Sequence, residues 1–136
     1  MTMEKKNKVI YWVATVWLSL GMASSAIVQL LKMDEEVAAF NRLGYPIYLL
    51  TILGVWKIFG IIALLIPKHP ILKEWAYAGF FFVASGAAIS HIVSGDSITD
   101  VVPALLLIIL IFVSWYFRPA ERRINRNNPT TEIYGN

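Results

Sequence analysis

The sequence contains no cysteine and only two histidines, and just 15% of its residues are charged. Without cysteine it can form no disulfide, thiolate metal site, CxxC redox pair or Cys-ligated iron–sulfur cluster. The histidines, His69 and His91, lack the spacing that places two imidazoles on one helical face, so neither a metal site nor any intrinsic cofactor is expected. Scarce charge has a second consequence. A chain of 136 residues that is 57% hydrophobic and 13% aromatic carries more apolar surface than one small soluble domain can bury, so the surplus must face a lipid bilayer. The net charge of +3 does not point to nucleic acid, because the basic residues flank apolar segments.

Four apolar stretches are present, 9–31, 47–66, 75–93 and 101–117, and each approaches the length that crosses a hydrocarbon core of about 30 Å as a helix. They divide the chain into a basic N-terminus at 1–8, a four-helix transmembrane domain at 9–119 and a tail at 120–136 that reads as disordered. Trp12, Trp17, Gln29 and the lack of a small-residue cleavage site after Leu31 favour a retained first helix over a signal peptide, and no processing is expected. The first loop holds a short amphipathic helix, 34–43, stopped by Gly44 and Pro46 and placed on the outer surface.

Lys5, Lys6, Lys8, Lys68, Lys73, Arg118, Arg122, Arg123 and Arg126 fall on one side of such a bundle and only Lys32 and Arg42 on the other. The excess of basic residues puts both termini in the cytoplasm. Trp12, Trp75, Tyr77, Trp115 and Tyr116 cluster at the same interface. Short connections make neighbours antiparallel. The expected fold class is therefore all-α, an integral antiparallel four-helix bundle of the inner (plasma) membrane.

Within that bundle Lys57 lies near the middle of the second span. A charge at that depth costs about 2.5–3.5 kcal/mol and survives by facing the bundle interior, a carboxylate or a polar cavity. It is either a ligand site or half of a structural ion pair. Gly54 and Gly60, three residues to either side, make room for close helix packing or for a ligand. On the third span Tyr77, Ala84 and His91 recur at sevens, beside a small-residue stripe of Gly79, Gly86 and Ser90. Glu74 opens that helix and complements its dipole, about 26 Å from His91 by helical rise, so the two serve separate features. Ser25 and Gln29 lie in the outer half of the first span. With Ser90, His91, Asp96 and Asp100 they outline an outward-open polar pocket, with Lys57 at its floor and Glu35 or Glu36 as counter-charges. Pro103 reads as a helix-start proline.

The strings GYPIYLLTILGVWKIFG (44–60), EWAYAGFFF (74–82) and SGAAISH (85–91), followed by a short apolar span closing on Arg118-Pro119, resemble the DoxX-like family of four-helix membrane proteins. The resemblance runs from Trp12 to Pro119. It places Lys57, Glu74, Tyr77, Gly79, Gly86 and His91 at the family's polar and small motif positions. The family name derives from a subunit associated with a terminal quinol oxidase and thiosulfate:quinone oxidoreduction. The resemblance thus implies an accessory subunit of a quinone-linked oxidoreductase, binding a quinone-like ligand near Lys57, with Tyr77 and His91 as further ligand-binding candidates; Ser25, Gln29 and Ser90 join them by their place in the outward-open pocket. The metal or flavin would come from a protein partner. The competing reading is a non-enzymatic scaffold, homo-oligomeric or partnered, that binds lipid or protein and keeps Lys57 as a structural ion pair.

Overall fold

The computed structural model describes residues 2–124. The reading of the tail as disordered falls, for 125–136, outside the described residues. Five α-helices follow one another without strands among those residues: α1 (Met3–Leu30), α2 (Asp34–Leu43), α3 (Tyr48–Leu65), α4 (Pro70–Val93) and α5 (Ile98–Tyr116), closed by a 3-10 turn at Ala120–Arg122. All but α2 are long and apolar enough to cross a membrane.

The helix boundaries follow local chemistry. Thr2 caps α1 by accepting a hydrogen bond from the Lys5 backbone N–H at 3.2 Å, and Glu4 sits in the first turn, so the helix starts well before the apolar run. In α2, Asp34, Glu35 and Glu36 fill the first turn and Gly44 ends the helix at φ 83°, a left-handed conformation in which glycine has no steric penalty. Pro70, with no N–H to lose, opens α4, five residues ahead of the expected start. Pro103 differs from its reading as a helix-start proline: it lies inside α5, because the polar Ser97-to-Asp100 turn starts that helix first.

The long helices pack in a ring. Helix α1 contacts α3 and α5, and α4 contacts the same two. Leu18, Met22, Leu64, Ala76, Tyr77, Phe80, Ala84 and Ile111 form the main core, and a smaller cluster joins Ala88, Val101 and Ala104. The outer face is the reverse of a soluble protein's. Trp17, Trp56, Phe59, Trp75 and Phe82 are all more than 60% exposed, an apolar girdle suited to a lipid environment. Glycine sets the closest approaches. A Cβ on Gly54 would come within 2.6 Å of Leu30 Cγ, and one on Gly60 within 2.6 Å of the Phe80 ring, so both positions serve packing of α3 on its neighbours.

One end of the ring is tied by two buried cations. The last carbonyls of α3 have no intrahelical donors. Lys73 donates to the Ala63 and Ile66 carbonyls, and Arg122 donates to the carbonyl of Leu64 at 2.8 Å, of Ile66 at 3.3 Å and of Leu65 at 3.4 Å. The Arg122 guanidinium also lies 4.8 Å above the Trp12 ring. Nearby, Arg118 pairs with Glu74 at 2.7 Å, and Trp115 donates its indole N–H to the same carboxylate at 3.0 Å.

Candidate ligand-binding cavity

Lys57 is the tenth of 18 residues in α3 and its side chain turns inward, 5% exposed. Its Nζ donates to Ser25 Oγ at 2.7 Å and to Gln29 Oε1 at 2.9 Å, both from the last two turns of α1. Ser25 and Gln29 are one turn apart and so present both acceptors to one point. No carboxylate lies within ion-pairing reach of Lys57 among the described residues, so its partners are neutral. An ammonium has three N–H donors, and these two bonds leave one over.

Beside this group a cavity of about 510 Å³ opens between α1, α3, α4 and α5 under α2. Its polar wall is Ser25, Gln29, Lys57, Ser90, His91 and Asp100, with Glu36 and Tyr45 at the α2 side; Met22, Leu53, Phe82 and Leu107 supply apolar wall. A second, almost wholly apolar cavity of about 390 Å³ lies between α3 and α4, lined by Trp56, Phe59, Trp75 and Phe80 among others. The two share Leu53, Lys57 and Val83.

The rim of the larger cavity is polar and tied together. Asp96 Oδ2 lies 2.7 Å from His91 Nδ1 and accepts from Arg42 Nη2 at 3.1 Å, linking α4, the α4–α5 loop and α2. The hydrogen bond from His91, and then that from Arg42, hold the Asp96 carboxyl below its ordinary value of 3.8, so it is ionised at neutral pH. Tyr45 and Ser90 hydroxyls are 2.5 Å apart.

The structure therefore brings Lys57, Ser25, Gln29, Ser90 and His91 to one cavity, and Asp100 and Glu36 with them. It does not bring Tyr77 there. Tyr77 is 14 residues before His91 on the same helix, about 21 Å along the axis, so a shared face does not mean a shared depth. Its hydroxyl instead hydrogen-bonds Ser114 Oγ at 2.8 Å, which meets Thr15 Oγ1 at 2.6 Å in a buried network that joins α1, α4 and α5. Glu74 belongs to the opposite end, with Arg118. The glycines also divide. Gly54 and Gly60 are packed, whereas a Cβ on Gly79 or Gly86 would meet nothing within 4 Å, and Gly79 lines the apolar cavity and Gly86 the polar one.

Sequence reasoning missed Tyr45 and Arg42 as parts of the rim. Only the seating of α2 over the cavity brings them there, and the charged and apolar sides of that helix were the one signal of it.

Four apolar spans around a polar, lysine-floored cavity define a multi-pass membrane protein with an internal binding-sized space. The sequence model of the DoxX-like family matches residues 13–113, and the chain belongs to that family. Neither the curated proteins nor the solved structures give a match.

Proposed function

We propose that this protein binds an amphipathic membrane ligand of the quinone class in the larger cavity, and that it acts as an accessory subunit of a quinone-linked membrane oxidoreductase. The observation that carries this reading is Lys57: a cationic side chain at mid-helix depth, held by neutral acceptors, with a donor to spare at a cavity wall. Burying such a group without a carboxylate is costly, and a carbonyl oxygen that gains charge on reduction is the partner that repays it. Ser25 and Gln29 orient the amine. The apolar cavity that meets the polar one at Leu53, Lys57 and Val83 suits the tail of the same ligand. With no cysteine, electrons would come from a metal or flavin on a partner subunit.

The protein would sit in the inner membrane as an antiparallel bundle with both termini in the cytoplasm. The basic-residue asymmetry supports this orientation. So does the gathering, at one end, of Tyr11 and Trp12 from early α1, the last carbonyls of α3, Lys73 from the start of α4 and Arg122 beyond α5.

The test is mass spectrometry of small molecules that co-purify with wild type and with Lys57→Met, both checked for folding. A quinone or related molecule present in wild type and reduced at least tenfold in the variant is the expected result. If both carry only bulk lipid, the reading fails and the protein is better understood as a lipid- or partner-binding scaffold.

A further inference from the structure

The larger cavity has a second polar pole besides Lys57, and its chemistry is set by the rim. Asp96 is ionised and can only accept hydrogen bonds. Its contact with His91 Nδ1 at 2.7 Å therefore requires the proton to be on Nδ1, because two acceptors cannot share that distance. Arg42 at 3.1 Å holds the same carboxylate oxygen and keeps it ionised and in place. A neutral imidazole protonated on Nδ1 carries its lone pair on Nε2. His91 lines the cavity, and no described residue hydrogen-bonds Nε2.

We propose that His91 is the proton acceptor for a hydroxyl-bearing aromatic head group in this cavity, and that Asp96 and Arg42 are its positioning residues. The inference rests on the ligand reading above and adds to it the redox form preferred: the quinol. In the bound state the head-group O–H donates to His91 Nε2. If the proton transfers, the O–H bond breaks and an N–H bond forms, which leaves an aryloxide and an imidazolium. The aryloxide oxygen stays beside the imidazolium that took its proton, and the imidazolium lies against the Asp96 carboxylate. The His91 side chain is 21% exposed. The cavity's other titratable groups, Glu36 on α2, Tyr45 before α3 and Asp100 on α5, have no contact with this imidazole as close as that of Asp96.

The experiment uses the full chain in lipid nanodiscs, with duroquinol and duroquinone as probes under anaerobic conditions. Nitrogen-15 spectra of labelled histidine report the tautomer directly, and His69→Asn removes the only other imidazole. The expected spectrum shows Nδ1 protonated and Nε2 bare, with the Nε2 signal moving on addition of duroquinol. Wild type should bind duroquinol about tenfold more tightly than duroquinone, the effect of one additional hydrogen bond. Asp96→Asn should bring that ratio to within about twofold, and Asp96→Glu should restore most of it. The ratio is the readout, because a loss of folding would weaken both probes alike. A resting tautomer protonated on Nε2 would overturn the inference. Equal binding of the two probes by wild type would overturn it while leaving the ligand reading intact. Binding of neither would overturn both.

Discussion

At the residue scale the same side-chain type does opposite work according to what it touches. Lys57 and Lys73 are both buried, yet Lys73 is consumed by two backbone carbonyls at a helix end, whereas Lys57 meets two side-chain acceptors and a cavity. The glycines separate in the same way. Gly54→Ala should destabilise the protein by about 1–3 kcal/mol, because the new methyl presses on Leu30 Cγ and toward the Ala26 carbonyl. Gly86→Ala should fold at least as well as wild type, since alanine is favoured in a helix by about 0.5–1 kcal/mol and meets no neighbour, while it narrows the larger cavity. Thermal melts in detergent and ligand recovery by mass spectrometry would distinguish the two effects.

Asp96 carries the clearest pH dependence outside the spans. Its carboxyl is held below 3.8, so its contacts with His91 and Arg42 add stability in full above that value and lose it as pH falls through the depressed one. Melting temperatures of wild type and Asp96→Asn should therefore converge in strong acid, as pH falls through the depressed value. A gap that persisted in full in strong acid would contradict the assignment.

At the element scale, the end of α3 depends on residues distant in sequence. Its final carbonyls are supplied with donors by Lys73 on α4 and by Arg122 beyond α5, and that second contact fastens the segment after α5 to the bundle. Arg122→Ala should lower stability by about 2 kcal/mol, the worth of hydrogen bonds from a charged donor to buried acceptors. Arg122→Lys should recover only part of it, since one ammonium cannot reproduce the fork that spans Leu64, Leu65 and Ile66 or its stacking on Trp12. Denaturant or thermal titrations of the three proteins would show this order. Helix α2 is the converse case. It buries no residue fully, and its value lies in what it covers: Glu36, Phe40 and Leu43 roof the cavity, and Arg42 reaches across to Asp96.

At the scale of the whole molecule, the absence of cysteine turns the proposed topology into a simple labelling experiment. Single cysteines at Glu35 and Ser94 should react with a membrane-impermeant maleimide added outside intact cells, and those at Lys68 and Glu121 should react only after permeabilisation. Labelling of all four from outside, or the inverse pattern, would refute an inner-membrane bundle with cytoplasmic termini.

The membrane class, the four spans and α2 at Asp34–Leu43 were legible in the sequence because each depends on local quantities: apolar length, a glycine stop and charge placement. Family membership was legible from short strings in order, and the match over residues 13–113 agrees with it. Lys57 stood out for the same local reason, as a charge where lipid or packed helix should be. What it meets was not local. Ser25 and Gln29 come to it from 32 and 28 positions away, only because α1 packs on α3 with glycine at their closest approach. Periodicity placed Tyr77 and His91 on one face, but their different depths and partners followed from the ring of helices. The sequence by itself determined what kind of solvent this chain needs and where it crosses it, since transfer free energy accumulates along the chain. Only the tertiary structure decided which polar groups share a cavity, because helical spacing specifies direction around an axis and packing specifies what lies in that direction.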